Sequence, residues 1–176
     1  MKIKVVPVGF LQTNCYIIES KGKCLIIDPG GDLEKIINKI DPDTKKITIV
    51  NTHFHYDHTL VNNELRQKFN AEVLIHEKEK NFIDFKADKF LKDGEIIKIG
   101  DHDFKIIHTP GHSEGSICLL TEEIVFSGDT LFKNGYGRTD LPGGDQKKME
   151  KSLKKLKSFL EEGTKVYPGH GEGFII

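Results

Sequence analysis

No apolar stretch approaches the roughly 18 residues needed to cross a bilayer. The opening Met1-Lys2-Ile3-Lys4-Val5-Val6 has neither the apolar core nor the small-residue cleavage site of a secretion signal. Charge of one sign is not in excess. With 26 Lys and Arg against 27 Asp and Glu the net charge is −1, so no overall field draws the protein to nucleic acid or anionic lipid. Cysteine is scarce and odd in number: Cys15, Cys24 and Cys118 lie far apart in apolar runs. That excludes a disulfide framework and fits buried, reduced thiols in a cytoplasmic protein. No linker, low-complexity tract or charge block marks a boundary, so residues 1–176 read as one domain.

What is present is a strand-rich pattern with helices in both halves. Residues 2–6 alternate, 14–20 and 23–27 flank a Lys21-Gly22 turn, and 46–50 and 72–75 are short apolar runs. Further strands are expected at 95–99, 103–108, 116–120, 123–127 and 165–167. Asp32 is a candidate N-cap for a helix with Leu33, Ile36, Ile37 and Ile40 on one face. A second helix is expected over about 59–69 and a third over about 145–162. The third carries Met149, Leu153, Leu156 and Leu160 at helical spacing, with its lysines on a solvated face. Covered sheets with helices outside are the natural packing for such a set.

The chemistry concentrates at His53-Phe54-His55-Tyr56-Asp57-His58, where four metal-ligating side chains fall within six residues just after a buried-type strand. In extended backbone, side chains two apart point the same way, so His53 and His55 can grip one ion. Asp57 and His58, where the chain turns into a helix, can point toward a second. Three later positions share one design: His112 in Thr109-Pro110-Gly111-His112, Asp129 in Ser127-Gly128-Asp129-Thr130, and His170 in Tyr167-Pro168-Gly169-His170. Each follows a strand and a glycine that allows a sharp turn or close backbone approach. Five histidines and two aspartates are thus expected at one edge of the sheets. Imidazole and carboxylate without thiolate suit zinc, iron or manganese. His76, His102 and His108 lack a partner motif and read as structural.

Together with Thr13-Asn14-Cys15-Tyr16 and Asp28-Pro29-Gly30, these motifs resemble the metallo-β-lactamase superfamily over nearly the whole chain. Within it they resemble the glyoxalase II-like hydrolases, hydroxyacylglutathione hydrolase and its relatives. The resemblance implies an α/β fold, a four-layer αββα sandwich, with two divalent metal ions at one edge of the paired sheets. Zinc is the first expectation, with iron or manganese as alternatives. It further implies His53, His55 and His112 as ligands of the first ion, and Asp57, His58 and His170 as ligands of the second. Asp129 matches the bridging carboxylate. The implied reaction is hydrolysis of a small acyl thioester by a metal-bound hydroxide that Asp57 orients. Asp28 is a candidate to receive the outer N–H of a ligand histidine, as such histidines usually require.

The substrate signal lies in the glycine-rich loop 133–144. Where glyoxalase II has a lysine and a tyrosine that hold glutathione, this chain has Arg138 and Asp140. Arg138 and Tyr136 are the candidate substrate contacts, although Arg138 could equally form an ion pair within the loop. The chain ends six residues after His170, where glyoxalase II continues into a helical domain that completes the glutathione site. A single domain without that grip is therefore expected. A mono-iron persulfide dioxygenase, a lactonase or β-lactamase, an RNA-processing nuclease and a non-catalytic metal-binding module remain open at this point. Phe10-Leu11 could form a flap at the mouth of the site or an ordinary turn.

Overall fold

The computed structural model describes residues 1–176. Strands β1 (Lys2–Val8), β2 (Thr13–Ser20), β3 (Lys23–Ile27), β4 (Lys46–Val50), β5 (Glu72–His76) and β6 (Lys89–Leu91) form a six-stranded sheet in that order. A second six-stranded sheet runs β12-β11-β10-β9-β8-β7, from β7 (Ile96–Ile99), β8 (His102–His108), β9 (Ile117–Thr121), β10 (Ile124–Gly128), β11 (Lys165–Pro168) and β12 (Phe174–Ile175). In the first sheet β1, β2 and β3 pair antiparallel, then β3 to β6 run parallel. In the second only β10 and β11 are parallel.

Parallel neighbours need a crossover, and α-helices supply it for three of the four parallel pairs, the short Glu77–Glu79 turn lying between β5 and β6. Helix α1 (Leu33–Ile37) links β3 to β4, while α2 (Tyr56–Thr59) and α3 (Asn62–Phe69) link β4 to β5. Helix α4 (Gln146–Lys157) links β10 to β11. Because the first sheet is covered on both faces, Cys15–Ile18 of β2 and Cys24–Ile27 of β3 are continuously apolar rather than alternating. Tyr16, Ile18, Leu25 and Ile27 face the second sheet and pack on Phe104, Leu119 and Phe126. Cys15, Ile17, Cys24 and Ile26 face the other way, against Ile36 of α1 and Leu65 of α3. A third cluster joins Ile107, Cys118, Val125 and Val166 to Leu156 of α4. The layers are therefore α, β, β, α, as expected. Truncating a fully buried side chain such as Leu25 to alanine costs about 2–5 kcal/mol.

Local expectations were revised at several points. The helix expected from Asp32 to Ile40 is only five residues long, and Asp32 is not its side-chain cap. Asp32 sits at φ 46°, and its carboxylate accepts from the Gly9 N–H and from Lys35 Nζ instead. Ile40 still packs on the same cluster from the turn that follows. The 59–69 helix is two helices, broken at Leu60-Val61, and the first begins inside the histidine-rich segment. Asp145 caps α4 by accepting from the Lys148 N–H at 2.9 Å, and the helix stops at Lys157, with Leu160 packing from beyond its end. One α4 lysine is not merely solvated: Lys155 Nζ bonds Asp93 at 2.8 Å and the His108 carbonyl at 3.0 Å. Strands β6 and β12, of three and two residues, were not anticipated, being too short to show a period. No helix is long and apolar enough to cross a membrane.

Candidate metal centre

Each donor group leaves the end of a strand on one edge of the sandwich. His53 to His58 follow β4, His112 follows β8, Asp129 follows β10 and His170 follows β11. The four separate segments meet. His112 Nε2 lies 2.9 Å from His55 Nδ1, and His58 Nε2 lies 3.3 Å from His170 Nε2. Asp57 Oδ2 is 3.4 Å from His58 Nε2 and 3.3 Å from His170 Nε2. Asp129 reaches both groups: Oδ1 is 3.6 Å from His58 Nε2, and Oδ2 is 3.5 Å from His112 Nε2 and 3.6 Å from His170 Nε2. Ligand atoms of His53, His55 and His112 lie within 4.8 Å of one another, as do those of Asp57, His58 and His170.

The approach of the strand ends demands glycine. A Cβ on Gly169 would stand 2.2 Å from Asp129 Oδ1 and 2.9 Å from the His58 ring. A Cβ on Gly30 would fall 1.4 Å from the Asp57 carbonyl oxygen, so the turn after β3 can rest against the histidine segment only without a side chain there.

Four of the histidines are oriented by oxygen acceptors on their outer nitrogen. His58 Nδ1 donates to Asp28 Oδ2 at 2.9 Å, and His112 Nδ1 to the Arg138 carbonyl at 2.8 Å. His170 Nδ1 donates to the Leu11 carbonyl at 3.1 Å. Thr52 Oγ1 donates to Asp28 Oδ2 at 2.7 Å, which leaves its lone pair to accept from His53 Nδ1 at 3.1 Å. Since carboxylates and carbonyls only accept, each of these rings directs its Nδ1–H outward and turns Nε2 toward the centre. The Nε2 atoms of His58 and His170, 3.3 Å apart, repel unless a proton or a cation lies between them. The buried His53 Nε2 and Asp129 Oδ1 have no hydrogen-bond partner. Buried polar atoms are rarely left so, and a divalent cation is the partner these donors fit.

The electrostatics agree. Burial, then repulsion from His58 and His112, holds His53 well below the ordinary imidazole range, and burial with His112 and His58 brings His55 down to about 4. Burial tends to raise Asp57, but hydrogen bonds to His170 and His58 overcome it and keep the carboxyl well below the usual range. Burial opposes a charge on His58, yet Asp28 and Asp129 beside it raise its pKa well above the ordinary value. His53 and His55, held neutral, an ionised Asp57, and a His58 whose neighbours favour positive charge together form a nest for a cation.

All seven residues singled out from the sequence thus lie together, and Asp28 touches both His58 and Thr52. Arg138 lines the cavity over the centre but is paired to Asp140 through two 2.7 Å bonds, Nε to Oδ1 and Nη2 to Oδ2. Tyr136 stands outside the cavity wall, its hydroxyl accepting from Gln146 Nε2 at 3.0 Å. Phe10 is 97% exposed, while Leu11 lines the cavity. His76 and His108 stack on each other at 4.0 Å away from the centre, and His102 pairs with Glu122.

Several supporting residues had no role from sequence alone. Thr13 Oγ1 donates to Asp57 Oδ2 at 2.9 Å, Asn14 Nδ2 to the carbonyls of Pro168 and Gly171, and Tyr16 Oη to the Pro168 carbonyl at 2.6 Å. The available signal was polar residues opening the otherwise apolar β2. Glu79 is fully buried and accepts from Ser113 Oγ and from the Gly115 N–H at 2.8 Å, bracing the loop that carries His112. Nothing in the Glu77–Glu79 turn marks that role.

A double-sheet sandwich with imidazoles and carboxylates gathered at one strand edge defines a class of metal-site proteins, and the chain belongs to the metallo-β-lactamase superfamily, whose profile matches residues 8–170. Among relatives, it is 36% identical to the probable metallo-hydrolase YqgX of Bacillus subtilis, over 97% of this chain and 90% of that protein. It is 34% identical to the hydroxyacylglutathione hydrolase GloC of Haemophilus influenzae, over 97% and 91%. Among solved structures it is similar to the BLEG-1 B3 metallo-β-lactamase, with TM-score 0.91 and 33% identity over 99% of this chain and 94% of that one. It is also similar to TTHA1623 in a di-iron-bound form, with TM-score 0.84 and 31% identity over 98% and 94%.

Proposed function

We propose that the protein is a metal-dependent hydrolase that cleaves a small acyl thioester. The observation that carries this reading is the convergence of seven donor groups with four imidazole Nε2 atoms turned inward. His53, His55 and His112 would hold one divalent ion and Asp57, His58 and His170 a second, with Asp129 between them. Zinc is the first candidate, with iron or manganese as alternatives; the likeness to a di-iron structure keeps iron in view. Bound there, such ions act as Lewis acids and bring the pKa of water near neutrality.

The chain's own residues supply the rest. Thr13 fixes one Asp57 oxygen, and the low pKa of that carboxyl keeps it an acceptor able to orient an attacking water. Asp28 locks the His58 tautomer and, through Thr52, that of His53. Phe54, Phe82, Leu11 and Phe132 line the cavity over the centre, where the acyl group would lie. A thiolate leaving group, with a pKa of about 8.5, departs without a general acid, which suits a thioester better than an amide. The likeness to GloC supports this substrate class, and the likeness to a B3 metallo-β-lactamase supports a lactam as the second reading.

Metal analysis of the purified protein, with turnover of a panel of thioesters, lactones and lactams, tests the reading. Two equivalents of metal and thioester turnover are expected, and Asp57→Ala should lower that turnover by about 10³-fold. One equivalent of iron with oxygen uptake on a persulfide would replace hydrolysis with persulfide oxidation. Unchanged hydrolysis in Asp57→Ala, with metal retained, would remove the proposed role of that carboxylate.

A further inference from the structure

Hydrolysis at this centre does not require apolar walls, yet the cavity above it has them. Its volume is about 650 Å³, within the usual range for a small-molecule site. Beside His55, Phe54 stacks on Phe82 with ring centroids 4.9 Å apart and planes inclined 27°, and Leu141 and Pro142 line the same cavity. Beside His170 stand Leu11 and Phe132, whose ring lies 6.3 Å from the imidazole. Phe82 and Leu11 are 38% and 47% exposed, so this is apolar surface open to solvent, the kind that marks a ligand groove. The cations near the mouth already have partners: Arg138 is held by Asp140, and Lys133 Nζ bonds Glu172 at 3.0 Å.

We infer that the preferred substrate carries an apolar acyl group of several carbons, or an aromatic ring, seated on the Phe54–Phe82 wall. Its thiol carrier needs no carboxylate. This rests on the thioester reading and narrows it: a short hydroxyacyl group on a dicarboxylate thiol such as glutathione leaves the wall uncovered and must displace Asp140 or Glu172 to reach Arg138 or Lys133. The water oxygen bonds to the acyl carbon as the C–S bond breaks, giving a carboxylate, the free thiol and one proton.

The test is a series of N-acetylcysteamine thioesters of acetic, butyric, hexanoic and benzoic acids, with S-lactoylglutathione as reference, on the metal-loaded protein. From acetyl to hexanoyl, kcat/KM should rise about 4-fold for each methylene the wall covers. The hexanoyl ester should exceed lactoylglutathione by at least about 10-fold. Phe82→Ser should reduce the hexanoyl-to-acetyl ratio by about 10-fold. Calorimetric binding of the uncleavable ketone analogues, with CH₂ in place of sulfur, should follow the same order on metal-free protein. Turnover with no dependence on acyl length, or lactoylglutathione ahead of hexanoyl, overturns the apolar preference and leaves thioester hydrolysis standing. Absence of turnover across the series with two equivalents of metal bound overturns the thioester reading and this preference with it.

Discussion

The two halves of the molecule contribute to the centre in different ways. The first half delivers His53, His55, Asp57 and His58 from one segment and braces two of these histidines from within: Asp28 holds His58 directly and His53 through Thr52. The second half delivers His112, Asp129 and His170 one at a time, and its supports cross over. His170 leans on the Leu11 carbonyl, and Pro168 and Gly171 are tied to Asn14 and Tyr16 of β2. The His112 loop is held by Glu79. A local cluster can be assembled by a turn of chain, whereas isolated ligands need the whole sandwich to aim them.

That contrast can be broken most severely at Asp129, whose carboxylate lies beside His112 of one donor group and His58 and His170 of the other. Asp129→Ala should lose metal from both positions, whereas His112→Ala should spare the Asp57/His58/His170 position, as elemental analysis after dialysis would read. Thioester turnover of Asp129→Ala should fall at least as far as that of Asp57→Ala. Equal metal retention in the two variants would deny the carboxylate its shared role.

Glu79 tests the brace that crosses between the halves. Burial, only partly offset by hydrogen bonds to Ser113 and Gly115, pushes its carboxyl up from 4.5 to about 7. The folded state therefore binds the proton more tightly than the unfolded chain. Its contribution to stability is full below about pH 4.5 and is lost as pH rises through about 7. Glu79→Gln, which mimics the protonated form, should thus gain on the parent as pH rises from 5 to 8.5, by about 3 kcal/mol at most. Denaturant titrations at those two pH values would show it, and parallel curves for parent and variant would remove the titration from Glu79.

Next in size, Asp28→Asn probes the support inside the first half. It should weaken metal binding at the His58 position about 10- to 100-fold in chelator competition, with less effect on binding that depends on His112. The smallest effect is expected at Arg138, whose partner Asp140 is as exposed as itself. Arg138→Ala should leave the thermal midpoint unchanged within error, since exposed ion pairs contribute little. A clear loss of stability there would show that the 133–144 loop depends on this pair.

What could be read from residues alone follows the same division. The His53–His58 cluster and the glycine-linked strand ends at His112, Asp129 and His170 were visible because metal chemistry restricts residue type. The main strands were visible because a sheet covered on both faces leaves continuous apolar runs. The break at Leu60-Val61, the left-handed Asp32 and the short β6 and β12 were not, because their conformations answer to neighbours rather than to their own periodicity. The roles of Thr13 and Glu79 were hidden for the same reason. Each acts on a residue at least 34 positions away.

Sequence by itself determined the donor inventory, the apolar layers and the superfamily resemblance, since those depend on side-chain chemistry and short-range spacing. Only the tertiary structure decided which nitrogen of each of four rings turns inward, that Arg138 is already paired, and that the groove beside the donors is apolar. Hydrogen-bond direction and pocket lining arise where distant segments meet, and no local pattern encodes that meeting.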